Sequence, residues 1–510
     1  MTTAFASAPI LVVLVLMVWR RWPASKAGIV GASLALVIAI VAFGFARVTP
    51  AEATTVGAFV GTFGEALFTS ATILWIVLPA LAIHHLQLAT GSTDRLRIAL
   101  ERLAGDPRLL ALLIGWFFAL FVEGAAGFGA SVALAAPFLV GIGYRPLDAV
   151  VVAMLGHAIG VSFGAVGTPI VPQAAATGLT GLEIAGATAG LHLVVGWTLL
   201  IATVVVASRA MDRSLTGPIW GWTALAGVAF LLPFWLIATF VGPELPTLGG
   251  SLIGAGIFVA ALRLFGGGSG SEPGSATSET PPTRGELLQA GAPYLVLVLL
   301  VLVTRLVPFV REPLGAVEVV WTVPGGFEGS FAPLTHPGTL LVVSFLVGAL
   351  VQQVSRPAVG KALDTTLGQL AGVAVALVAM LSLARIMVHS GMTATLAEAA
   401  AGTAGGVWPV LAPLVGVLGT FVTGSATASN VLFTDLQAAT ADALDLPLSP
   451  MLGAQGYGAA VGNIVCPHNI VAAGATVGLT GAEGDVLRRT LAPALAYAVL
   501  GGLLVWALVL

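Results

Sequence analysis

The residues with the most chemistry to offer lie in two short glycine-bearing runs. The first is FVEGAAGFG, 121–129, where a single carboxylate, Glu123, stands between two strongly apolar stretches. Gly124, Gly127 and Gly129 disfavour a continuous helix. A helix broken inside a membrane leaves backbone N–H groups that either a bound anion or a tight helical hairpin must satisfy. A helix N-terminus carries partial positive charge, so the backbone at Gly127, Phe128 and Gly129 suits a substrate carboxylate. Left ionised in lipid, Glu123 costs about 2.5–3.5 kcal/mol or more, so it must face a cavity, pair, or take up a proton. Taking up a proton makes it a proton carrier; the alternative is a neutral Glu hydrogen-bonded in a packed hairpin.

The second run, FVTGSATASNVLF at 421–433, replaces the acid with hydroxyls and an amide. Ser425, Thr427, Ser429 and Asn430 are able to hydrogen-bond a carboxylate or a hydroxyl in a dry pocket. Singly, each also reads as a helix cap or a close-packing position; clustered at a second break they read as a substrate site, to which Asn469 in CPHNIV is added. Pro169, Pro172 and Gln173 mark another interruption expected to line the cavity. Glu65 and Arg385 are the other intramembrane charges; Arg385 either pairs a carboxylate or snorkels. Asp435, Asp442 and Asp445 read as solvated positions near a loop.

These runs are set in a chain of 510 residues that is 58% apolar and 8% charged, with a mean hydropathy of +1.03. A soluble surface normally needs about a quarter of its residues charged. The chain therefore reads as an all-α polytopic membrane protein with about 12–16 apolar segments, clearest at 28–46, 185–207, 218–241, 291–309, 367–388 and 491–510. The first segment, APILVVLVLMVWRRW, has its positive charges after the apolar run, the reverse of a cleavable signal. It is expected to be a retained helix with its N-terminus outside. The single cysteine, Cys466, forms no internal disulfide, and no basic cluster exists to meet nucleic acid. No nucleophile–base pair, metal-ligand set or cofactor motif is visible, so the expectation is neither an enzyme nor a cofactor protein.

An internal repeat appears at an offset of 300 residues: FVEG at 121–124 with FVTG at 421–424, GLTGLE at 178–183 with GLTGAE at 478–483, and Gly91 and Thr93 with Gly391 and Thr393. Short cytoplasmic loops collect Lys and Arg. The loop 92–108 holds Arg95, Arg97, Arg102 and Arg108, and its counterpart 392–408 holds none; 482–490 holds Arg488 and Arg489, and 182–190 none. The copies are therefore expected to be inverted, with broken helices or re-entrant hairpins around a midplane site, as in secondary transporters. The organisation expected is N-terminal helices over 1–56, a first repeat over 57–215, central helices over 216–265 and 287–354, a Gly/Ser/Pro-rich flexible linker over 266–286, and a second repeat over 355–510.

The strings EGAAGFGASVALAAPFLVGIGYRPLDA, VSFGAVGTPI, GTFVTGSATASNVLF and CPHNIV resemble the L-lactate permease family over about 60–500. The resemblance implies a plasma-membrane symporter taking up lactate, and often glycolate, with a proton, and related to a larger ion-transporter group with inverted repeats. A sodium-coupled carboxylate transporter or a cation/proton antiporter of that fold group would use the same breaks. Against the family's pattern, Ala426 stands where an acid is common, His157 where an Asn is usual, and Cys466 and His468 where a Ser and a Gln are usual. Histidine is the side chain best matched to protonation near neutral pH, so His157 and His468 are candidates for the proton work; a neutral histidine in one structural hydrogen bond is the alternative.

Overall fold

The computed structural model describes residues 2–20, 22–45, 54–101, 103–127, 129–265, 281–323, 327–479 and 482–509. Among them, ten helices are long and apolar enough to cross a membrane, or eleven if one bent pair counts as a span, and three shorter apolar helices join them. The bent pair is Gly181–Val195 with Trp197–Ala210, at 47°. The sequence reads as one apolar stretch there. The bend falls at Gly196, where an added Cβ would come within 2.9 Å of Ile159 and Leu231 side chains, so the glycine lets these neighbours close on the helix.

Elements recur in the same order about 300 residues apart. A helix of 35 residues, Thr55–Ala89, corresponds to one of 34, Arg356–His389, and the two pack on each other. Each ends in a turn on a left-handed glycine, Gly91 or Gly391. Ser92–Glu101 then corresponds to Met392–Ala404, and Pro107–Ala125 to Trp408–Thr423. After each break the chain resumes as Ala130–Gly141 or Ala426–Ala443, then Pro146–His157 or Leu448–Gly462. A short 3-10 turn follows in both, Ala158–Phe163 and Asn463–Val465. The segment Leu112–Phe118, just ahead of Glu123, is a buried π-helical turn.

One element departs from the all-α reading. Val319–Val323 pairs antiparallel with Phe327–Phe331, a short hairpin whose first strand is Val-Val-Trp-Thr-Val, favourable to pleated backbone. Phe327 is 1% exposed and fills the groove left by Gly61 on the long first-repeat helix. Of the linker expected over 266–286, residues 266–280 lie outside the described residues; the next helix begins at Arg284 under a Thr283/Glu286 capping box.

Shielding differs sharply among the spans. Pro146–Gly167 is wholly enclosed by protein, whereas Glu483–Val509 is only 33% enclosed. The hydrophobic core therefore surrounds the segment carrying His157, and lipid meets the outer helices. A polar side chain on the enclosed segment need only satisfy protein partners.

Candidate substrate and proton site

The two breaks face each other across a small cavity. Its wall includes Glu123 and Gly127 from the first break, Ser425 and Thr427 from the second, and Thr168 and Asn463 from the adjoining turns. The cavity measures about 40 Å³ on the scale where one water needs ~10–15 Å³. That is room for roughly three waters.

At the first break the helix Ala119–Ala125 stops and Ala130–Gly141 begins after Gly127 and Gly129, at φ +60 and +80. A Cβ on Gly127 would stand 3.0 Å from Ala165 N, so only glycine brings this backbone against the loop 164–167. Glu123 is 3% exposed; its Oε2 accepts from Ser131 Oγ at 2.7 Å, across the break. Its Oε1 lies where a Cβ on Gly164 would meet it at 2.5 Å, so the glycine makes room for the carboxyl. His157, at the end of the helix Pro146–His157, lies within electrostatic reach of the carboxyl. The loop itself is irregular: Ala165 and Val166 both take left-handed backbone, at φ +43 and +56.

The second break needs one left-handed residue, Gly424 at φ +75, before a regular helix start. Ser425 caps that helix, its Oγ accepting from Ala428 N at 3.3 Å. Beneath it runs a neutral amide network. Gln455 Nε2 donates to Ser429 Oγ and Asn430 Oδ1, Gln437 Nε2 donates to Gln455 Oε1, and Trp408 Nε1 donates to Gln437 Oε1.

The expected residues thus separate into two groups. Glu123, Gly127, Ser425 and Thr427 share the cavity wall. Ser429 and Asn430 point into protein instead: Ser429 donates to Gly416 O at 2.9 Å, and Asn430 to Pro169 O at 2.8 Å. Both of Asn430's amide ends are engaged, so it ties the second break to the first-repeat turn. Asn469 donates to Gly424 O and Asn463 O, bracing the break from outside. His157 lies behind the wall and Gly129 beside it. Phe128 and the side chain of His468 lie outside the described residues. Gln173, expected at the cavity, is fully buried and donates to Leu452 O.

Four contributors escaped the sequence reading: Ser131, Thr168, Asn463 and Gln455. A signal for two of them was present. AVGT at 165–168 and AVGN at 460–463 are a further repeated string, ending on the two polar turn residues that line the cavity.

A second polar cluster lies apart, between the two long helices and Ala426–Ala443. Glu65 meets His389 Nε2 at 2.7 Å, and Arg385 donates to Asp435 at 3.3 Å. Asp435 is therefore not a solvated loop residue; it is enclosed and paired, its side chain 13% exposed.

Spans built around broken helices, with one buried acid facing a small polar cavity, define a multi-pass membrane transporter rather than an enzyme. More narrowly, the chain belongs to the L-lactate permease family, whose model matches residues 3–323 and 327–510. It is 30% identical over 463 residues to an L-lactate permease of Salmonella typhimurium, covering 85% of this chain and 83% of that one. It is 28% identical over 541 residues to the glycolate permease GlcA of Escherichia coli, covering 98% and 94%. Its fold is similar to that of the Alcanivorax borkumensis YdaH transporter, with a TM-score of 0.53 at 16% identity over 95% of this chain and 98% of that one.

Proposed function

We propose that the protein imports a small monocarboxylate, L-lactate, glycolate or another 2-hydroxy acid, across the plasma membrane together with a proton. The observation that carries this reading is the cavity itself: an acid on one wall and hydroxyls on the other. A 2-hydroxy acid offers one carboxylate and one hydroxyl. Ser425 and Thr427 supply hydroxyls, and Ser429, Asn430 and Asn469 hold these in register; the N–H groups of Ala126, Gly127 and Ala130, expected to meet the carboxylate, are bonded within the chain instead. Glu123 is the cavity-facing group through which the proton enters and leaves. The permeases named for L-lactate and for glycolate among the relatives support the substrate class.

The two repeats are inverted in this reading, so that each break approaches the midplane from its own side. Single cysteines at Asp94 and Thr403, both exposed, in a Cys466→Ala background then label from opposite faces of the membrane. Labelling from one face removes the inversion. Function is tested by counterflow in proteoliposomes loaded with L-lactate. Lactate and glycolate exchange, propionate competes about tenfold less well for want of a hydroxyl, and succinate does not compete. An inside-alkaline pH gradient drives accumulation without sodium. A sodium requirement replaces the proton with sodium, and preference for succinate overturns the monocarboxylate assignment.

A further inference from the structure

His157 is fully buried and both its ring nitrogens are held. Nδ1 lies 3.0 Å from Ala153 O, and Nε2 lies 3.1 Å from Asn463 Oδ1. The Ala153 carbonyl only accepts, so Nδ1 bears a hydrogen in every state of the ring. The second nitrogen then decides. If Nε2 also bears a hydrogen, the ring is an imidazolium and Asn463 must present Oδ1. If Nε2 is bare, the ring is neutral and the amide must present Nδ2–H instead. The two ends of an amide are alike in size, so turning it over needs no repacking. Asn463 lines the cavity, and its Nδ2 meets no protein acceptor among the described residues. One end of this amide therefore faces the ring while the other serves the cavity.

We propose that Asn463 is a relay, a positioning residue that converts protonation of His157 into anion affinity of the cavity. A proton on Nε2 holds Oδ1 against the ring and leaves the amide NH2 to donate to a substrate carboxylate. Loss of the proton turns the carbonyl oxygen toward the cavity, where it repels that carboxylate. Proton and anion then bind together, each strengthening the other by the same factor. This rests on the monocarboxylate reading and supplies its coupling step.

Few other charges face the ring. From the helix Ala119–Ala125 it is Glu123. From Glu483–Val509, Arg489 is held by Asp148 at the far end of His157's own helix, and the Tyr497 hydroxyl is bonded to His192. Arg209 ends the neighbouring helix Trp197–Ala210, and His468 belongs to Pro467–Thr476. The segments Leu112–Phe118, Ala130–Gly141, Ala158–Phe163 and Asn463–Val465 bring no titratable side chain.

The test is L-lactate binding to the purified full-length protein by calorimetry between pH 5.5 and 8, in a Glu123→Gln background that silences the other acid. The affinity is expected to rise as pH falls, by up to about tenfold per pH unit, the limit for one linked proton. Asn463→Ala in that background is expected to flatten the slope to under about twofold per unit although His157 is intact, and His157→Gln to do the same. Asn463→Leu, which keeps the volume of the amide and removes both of its ends without adding a titratable group, is expected to flatten the slope likewise, and it serves if the alanine variant does not fold. A full slope surviving in either Asn463 variant overturns the relay, as does a Glu123→Gln protein with no slope. Wild-type protein that binds no lactate at any pH removes the monocarboxylate reading, and the relay with it; lactate binding with an unaltered slope removes the relay alone.

Discussion

The first break carries titratable groups, Glu123 at the cavity and His157 behind it, on backbone that needs five left-handed residues, Gly127, Gly129, Ala165, Val166 and Gly167, whereas the second carries only hydroxyls and amides on a cleanly capped helix. Two equivalent breaks have thus taken up different chemistry. A carboxylate on each wall would put two acids and an anionic substrate around about 40 Å³, three like charges in a medium that screens them poorly. Confining charge to one wall avoids that. The second wall offers neutral donors and acceptors, which cost little to bury once paired. One wall thus carries a group able to take up a proton, the other only hydroxyls and amides.

The sharpest way to break this contrast is Glu123→Gln. It removes the cavity-facing acid, so accumulation driven by a pH gradient is expected to slow tenfold or more, the linkage through His157 remaining, while lactate exchange at equal concentrations stays near its wild-type rate, because exchange moves no net proton. Accumulation at the wild-type rate in the variant would show that protons reach the cavity without Glu123. Asn430→Ala tests the neutral wall. It leaves Pro169 O without its donor and one of the two Gln455 amide hydrogens without its acceptor, at about 1–3 kcal/mol for a buried group left unpaired. Lactate binding should weaken tenfold or more and the thermal midpoint should fall together with it; weaker binding at unchanged stability would place Asn430 on the substrate. The mildest test lies outside the membrane, at the helix that follows each repeated GLTG string. Thr180→Ala removes a capping box worth about 1 kcal/mol, read as faster amide exchange over Gly181–Val195. The Glu183 carboxyl in that box is held below its usual range by hydrogen bonds first from the Thr180 side chain and then from its backbone. A depressed carboxylate stabilises the fold above its unfolded pKa, so this contribution is lost as pH falls through the carboxylate range, and Thr180→Ala should show less of that acid sensitivity.

Much of this was legible in the sequence because glycine and charge are rare signals inside apolar segments. FVEG and FVTG each stand at a helix break, and the elements around the two strings recur in the same order. The side-chain directions were not legible. Ser429 follows Thr427 by two residues, about 200° around the helix, so it faces the Gln455 network while Thr427 faces the cavity. Asn430 lies only about 60° from Thr427 and is drawn off the cavity by its bonds with Pro169 O and Gln455, which the sequence does not reveal. Asp435 looked solvated because its partner, Arg385, is fifty residues away in sequence. The hairpin at 319–331 was lost among apolar residues whose short runs suit helix and strand alike.

Val166 holds one further lesson, for anyone wishing to produce a hardier version of this protein. A β-branched residue in left-handed backbone costs on the order of 1–3 kcal/mol and persists only where its surroundings dictate it. That expense stands beside the cavity although a glycine, as at Gly164 and Gly167 flanking the Ala165–Val166 pair, would erase it. Val166→Gly should therefore raise the thermal midpoint, provided the lost side chain, which packs beside Ala125 and Leu248, subtracts less than the relaxation adds. Turnover measured alongside would tell a builder whether the tension was idle or wound for use.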